Sequence, residues 1–165
     1  MPFKRPAELA QDETSGMAPV LHAVEQCMGY DYVVLLQPTS PLRTVEDIDG
    51  CIQKALVSDG GFCVSVVEPS HSPYWMYKVE NDRLIPLLSQ EELIARRQDL
   101  AQVGSLNGAV YVGEIRKLLE SKSFLTENTL AFFMEPQKSV DIDDASDFEY
   151  CEFLLNKRNK KRVPQ

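Results

Sequence analysis

A chain of 165 residues with 44% hydrophobic and 25% charged residues suits one domain with a real core. Its formal charge of −8 is unevenly spread, because Lys157, Arg158, Lys160, Lys161 and Arg162 supply five of the seventeen bases and leave twelve against twenty-five acids elsewhere. So acidic a body is a poor match for a nucleic-acid backbone, and the basic end reads as a solvated helix terminus.

In chain order, Pro19 suits a first helical turn, and Val20, Leu21, Val24, Cys27 and Met28 share one face before Gly29. Residues 32–36 form a continuous apolar run, as in a parallel strand covered on both faces. Two prolines in Gln37-Pro38-Thr39-Ser40-Pro41 then enforce a rigid loop at that strand's end. Thr44 and Asp47 make a capping box for a helix to about Ser58, Gly60-Gly61 breaks the chain, and 62–67 is a second buried strand. Helices alternating with strands predict a parallel α/β sheet.

The middle differs. Residues 74–79 and 84–87 around Asn81-Asp82 predict a hairpin, followed by a helix opening at Ser89 with Glu92 three residues on. This reads as an insertion over about 71–100 whose Tyr74, Trp75 and Tyr77 pack on a second subunit; the plainer alternative is that they cover the parent sheet. The α/β pattern resumes with strand 109–112, helix 115–120, strands 130–134 and 139–143, and a helix from Ala145 to about Lys157 that points Phe148, Cys151, Leu154 and Leu155 to one side.

Cys27, Cys51, Cys63 and Cys151 form no C-x-x-C pair, so buried reduced thiols are expected rather than zinc or disulfides. No run is long enough to cross a bilayer and the first residues lack the apolar stretch of a signal peptide, so the expectation is a cytoplasmic chain with no membrane partner. His22 and His71 are too scattered for a metal site, and nothing pairs with Ser40 as an activated nucleophile.

Asp141-Ile142-Asp143 is the sharpest chemical signal. On a strand over 139–143 the two carboxylates would share a face, and two like charges so placed call for a divalent cation; magnesium, which takes one or two carboxylates and fills its shell with water and phosphate oxygens, fits best. The plain alternative is a solvated helix start, with Asp144 capping the last helix.

Gln37-Pro38-Thr39-Ser40-Pro41-Leu42-Arg43, Asn107-Gly108-Ala109-Val110-Tyr111 and Ser139-Val140-Asp141-Ile142-Asp143 occur in the order that resembles the acylneuraminate cytidylyltransferases. Arg5-Pro6-Ala7-Glu8-Leu9-Ala10 and Arg96-Arg97-Gln98-Asp99-Leu100 extend the resemblance over nearly the whole chain. It implies a Rossmann-like nucleotidyltransferase sheet in one domain, 1–165, a homodimer, and transfer of CMP from CTP to an acidic nine-carbon sugar with release of pyrophosphate. It further implies Asp141 and Asp143 as Mg2+ ligands, Gln37 between nucleotide and sugar, and Arg5, Thr14 and Ser15 at the nucleotide. Arg97, Asn107, Tyr111 and Phe124 would contact the sugar, Arg97 from the partner subunit.

Each of these has a structural alternative: Gln37 satisfying loop backbone, Tyr111 and Phe124 packing in the core, Arg96-Arg97 as an exposed helix pair. One departure is large. The family's first strand and Gly-rich basic loop have no counterpart here, so the sheet is expected to be N-terminally truncated, with an open edge beside 32–36 and turnover severely reduced. Gly16, Trp75, Ala101 and Ser105 are smaller departures that leave the sugar open. The competing functions are a non-catalytic dimerisation or sugar-binding remnant and, more remotely, a small acidic metal-binding protein.

Overall fold

The computed structural model describes residues 3–88 and 101–162. A four-stranded sheet, ordered β1-β5-β2-β6, is built from β1 (Tyr32–Leu35), β2 (Phe62–Val67), β5 (Ser105–Glu114) and β6 (Leu130–Met134), and a separate hairpin from β3 (Tyr77–Glu80) and β4 (Arg83–Pro86). The helices are α1 (Met17–Gln26), α2 (Val45–Leu56), α3 (Ile115–Ser121) and α4 (Ala145–Arg162). Short 3-10 turns lie at Ala7–Ala10, Pro73–Trp75 and Pro136–Lys138.

The sheet is mixed rather than parallel. β2 and β6 run together, but β5 lies antiparallel to both β1 and β2, wedged between them. A continuous apolar run reports burial on two faces and carries no information on direction, so the predicted parallel order fails at β5. This strand is also longer than the 109–112 read from the sequence. Its pairing with β2 is irregular: Val64 faces Tyr111 and Val66 faces Leu106, so β5 bulges between them around Gly108 at φ +69°.

Helices cover both faces. On one, α2 packs Cys51 and Ala55 on Cys63, Val110, Val112 and Met134; on the other, Val20 and Val24 of α1 meet Phe62, Val64, Val66, Leu118 and Phe124. Alternation along β2 explains the division, since even-numbered side chains face α1 and α3 and Cys63 faces α2. A hydrogen bond with Cys63 first, and burial second, push the Cys51 thiol up, which keeps it neutral in the core.

Several local expectations are met. The capping box closes, with the Thr44 N–H donating to Asp47 Oδ2 at 2.8 Å, and Asn81 and Asp82 both take positive φ in the two-residue hairpin turn. Others are not. Met28 lies beyond α1 and is exposed, as is Phe148 (58%), because α4 turns Cys151 and Leu154 inward and leaves Phe148 on its flank. β1 is half-exposed at the sheet edge, paired among the described residues only with β5. The predicted helix from Ser89, and Arg97 with it, lies outside the described residues.

Candidate active site

The predicted strand over 139–143 does not form. A 3-10 turn at Pro136–Lys138 delivers an irregular segment, and its Ile142 N–H donates to the Thr39 carbonyl at 2.8 Å, a single cross-link in place of a ladder. The alternation argument for a shared carboxylate face therefore falls away. Asp141 is half-buried while Asp143 is exposed. Asp144 caps α4, its Oδ1 accepting from Ser146 N at 2.7 Å and Asp147 N at 3.0 Å, so the plain alternative for the acidic run is correct for this one residue.

What brings Asp141 to a site is tertiary. Leu42, Cys151 and Leu154, with Val140 and Ile142, pack together and hold the loop after β1 against the segment before α4. The loop has its own clamp: Arg43 Nη1 donates to the Gln37 and Ser40 carbonyls, both at 2.6 Å. Partial burial lowers the guanidinium pKa, yet it stays charged this far above neutrality. Lys138 meanwhile pairs with the buried Asp47 at 3.2 Å, fixing the turn that leads to Asp141 onto the start of α2.

Gly108 forms the floor. A Cβ placed on it would fall 2.5 Å from Gln37 Oε1, 3.3 Å from Asp141 Oδ2 and 3.3 Å from Ser40 Oγ. Three oxygen-bearing side chains thus converge on a space that only glycine leaves free, and its positive φ independently favours glycine. Ser40 is fully buried and its hydroxyl lies 3.2 Å from the Asn107 carbonyl and 3.3 Å from Asp141 Oδ1.

Asn107 is 4% exposed and its side chain is spent inside the protein. Its Oδ1 accepts from Ser65 Oγ (2.6 Å) and Ala109 N (3.2 Å), and its Nδ2 donates to Ser139 Oγ (2.9 Å) and Met134 Sδ (3.4 Å). It shapes the β5 bulge from beneath. Phe124 is likewise a core residue, 4% exposed, with its ring 5.6 Å from that of Tyr111. Tyr111 remains half-buried beside Asp141.

Arg5 and Ser15 are exposed and Thr14 is half-buried; Thr14 Oγ1 donates to the Glu8 carbonyl at 3.1 Å and Ser15 Oγ accepts from Met17 N at 3.4 Å, so both hydroxyls serve the turn into α1. Among the described residues, no hydrogen bond or ion pair joins these three to the Gln37–Asp141 cradle. Arg43, Ser65 and Ser139 have no role assigned by sequence pattern, and Ser40 is considered there only as a nucleophile. Ser65, the one polar residue in 62–67, carried a signal; the others did not.

Burial first, and the Asp141 charge second, raise the Tyr111 phenol above its ordinary value of 10. For an acid whose folded value is raised, the stabilising contribution is complete below the unfolded value and is lost as pH climbs through the folded one. An alkaline titration of tyrosinate absorbance should therefore show one phenol ionising late. In Asp141→Asn it should move only part of the way back, because burial is the larger cause.

No protein-family model matches the chain. Individual relatives do. An N-acylneuraminate cytidylyltransferase of Escherichia coli is 28% identical over 160 residues, 96% of this chain and 38% of that protein. A CMP-N,N'-diacetyllegionaminic acid synthase of Legionella pneumophila is 29% identical over 162 residues, 94% of this chain and 68% of the relative. The chain is a homologue of the acylneuraminate cytidylyltransferases. An N-acylneuraminate cytidylyltransferase of Streptococcus agalactiae serotype V adds 28% identity over 87% of the chain, which spans 35% of that protein. The fold agrees: the chain superposes on a Francisella tularensis 2-C-methyl-D-erythritol 4-phosphate cytidylyltransferase with TM-score 0.59 at 13% identity, covering 87% of this chain and 69% of the other. This cytidylyltransferase homologue therefore has the Rossmann-like nucleotidyltransferase architecture.

Proposed function

We propose that the Gln37–Ser40–Asp141 cradle serves magnesium-dependent transfer of CMP from CTP to the anomeric hydroxyl of an acidic, sialic-acid-type nine-carbon sugar. The observation that carries this is the convergence of Gln37 Oε1, Asp141 Oδ2 and Ser40 Oγ over Gly108, in a chain homologous over nearly all its length to enzymes named for such sugars. In the reaction the sugar oxygen bonds to the α-phosphorus, the bond from that phosphorus to the bridging oxygen breaks, and pyrophosphate leaves while the hydroxyl proton passes to solvent.

The donor set suits magnesium. Gln37 Oε1 and Asp141 Oδ2, which border the space above Gly108 with the fully buried Ser40 behind them, are oxygens, and among the described residues no protein cation pairs with Asp141 or Asp143. No cluster of three or more His, Cys, Asp or Glu side chains is gathered for a metal among those residues; magnesium bound through one or two carboxylates and substrate phosphates needs none. Asp141, together with the exposed Asp143 two residues on, would hold the ion, which when bound offsets charge building on the phosphate oxygens. Gln37 donates and accepts at once and so orients the acceptor polyol. The Tyr111 hydroxyl supplies a neutral donor beside Asp141, the exposed Arg5 would meet the triphosphate, and Arg97 offers a planar fork for the sugar carboxylate.

Trp75, Tyr77, Val79, Leu84 and Ile85 are exposed on and beside the β3–β4 hairpin, which supports a homodimer formed through about 71–100. Among the described residues no helix is long and apolar enough to cross a membrane, and we place the protein in the cytoplasm. The second reading, a sugar-binding module without turnover, draws on β1, which among the described residues is paired on one side only.

Thermal unfolding separates them. At a hundred times its Kd a ligand adds about 2.7 kcal/mol, so CTP with Mg2+ should raise Tm by about 5 °C or more for a domain of this size, ATP with Mg2+ should do less, and a chelator should erase the gain. Stabilisation by sialic acid alone, with none from CTP, favours the second reading. No response to CTP or sugar contradicts both.

A further inference from the structure

We propose that Ser40 is a positioning residue whose buried hydroxyl sets the spacing between the Gln37 amide and the Asp141 carboxylate. The inference rests on the reading of Asp141 as the cation-holding carboxylate and goes beyond it by assigning what aims that group. Three observations carry it. Ser40 has no exposed surface, so it touches no ligand and attacks nothing. Its hydroxyl oxygen is within reach of two acceptors on different segments, the Asn107 carbonyl at 3.2 Å and Asp141 Oδ1 at 3.3 Å, and its one hydrogen can be donated to either. Its own backbone belongs to the loop that carries Gln37: the Ser40 N–H donates to the Gln37 carbonyl at 3.3 Å, and Arg43 grips both carbonyls.

The geometry gives each Asp141 oxygen a separate task. Oδ1 is turned back toward Ser40, while Oδ2 lies near the space above Gly108 that Gln37 Oε1 also borders. A carboxylate tied at one oxygen cannot rotate freely, so the other is presented in one direction. Metal ligands aimed by an outer hydrogen bond commonly lose about tenfold to a hundredfold in affinity when that bond is removed. The Ser40 anchor is in turn rigid, because Asn107 is locked beneath it by Ser65 and Ser139.

The test is a Mn2+ titration read by the electron paramagnetic resonance of free Mn2+, on the full chain and on Ser40→Ala, Asp141→Asn and Leu118→Ala. Leu118 is fully buried in the core cluster formed with α1, so its truncation lowers stability without touching the cradle. Ser40→Ala should bind Mn2+ about tenfold more weakly, Asp141→Asn more weakly still, and Leu118→Ala should match the wild type although its Tm falls. Ser40→Cys keeps the volume and a weak donor, should fall between wild type and alanine, and replaces the alanine variant if that does not fold. Wild-type affinity in Ser40→Ala together with a loss in Asp141→Asn overturns the positioning role and leaves the site reading standing. Equal losses in Ser40→Ala and Leu118→Ala also overturn it, since affinity would then follow stability. Undiminished binding by Asp141→Asn, or none by the wild type, overturns the site reading and this inference with it.

Discussion

Asp141→Asn is expected to weaken binding of the CTP–Mg2+ complex by at least the roughly tenfold to hundredfold that losing an outer-shell partner of a metal ligand costs, while leaving Tm unchanged or slightly raised. The two effects separate because the carboxylate has no protein cation to lose. Among the described residues no Lys or Arg pairs with it, and an asparagine carbonyl oxygen can still accept from Ser40. In a chain of formal charge −8, removing one anion relieves self-repulsion rather than breaking an attraction. Titration calorimetry checks the first half and thermal unfolding the second. A large fall in Tm would mean that Asp141 is a structural carboxylate.

Asn107→Ala is expected to cost about 3 kcal/mol, read as a lower urea midpoint with an unchanged slope. The size follows from what is left behind. Ser65 can turn its one hydrogen to the Val110 carbonyl at 3.1 Å and still accepts from the Val110 N–H at 2.8 Å, and Ser139 keeps the Glu135 carbonyl at 2.9 Å. The N–H of Ala109, a residue with no exposed surface, loses the Asn107 Oδ1 acceptor. One buried donor without a partner, together with the lost side-chain bonds and a small cavity, adds to that order. The bulge should loosen as well, and the metal affinity should drop with it even where the protein remains folded.

Much of the fold could be read from local chemistry. The capping box at Thr44 and Asp47, the buried run of β2 and the Asn81-Asp82 turn each depend on neighbours in sequence, and each forms. The direction of β5 depends on which strands it lies between, and apolar content does not encode that. Phe148 shows the same limit at smaller scale: helical periodicity identifies an apolar side of α4, but tertiary packing decides that Cys151 and Leu154 rather than Phe148 face inward.

The site was legible in part. Gln37, Gly108, Tyr111 and Asp141 lie in the segments that carry the resemblance, and the fold brings these segments together. Strand alternation does not place Asp141, since the chain is irregular over 139–143. What replaces it is a set of contacts with residues distant in sequence, Ser40 and Gly108 among them, which no spacing rule reveals. Asn107 was singled out by its place in the motif, yet its side chain points into a saturated internal network, so its contribution is to build the bulge. Arg97 lies outside the described residues.

The most direct test of the central claim is paramagnetic mapping: two-dimensional amide spectra of the isotopically labelled chain recorded as Mn2+–CTP is added in small amounts. The account predicts that the Gln37 side-chain amide and the backbone amides of Gly108 and Ile142 broaden first, and that Asp141→Asn abolishes the effect. Broadening that begins instead at the acidic first turns of α4, around Asp147, Glu149 and Glu152, or that persists unchanged in Asp141→Asn, would contradict it.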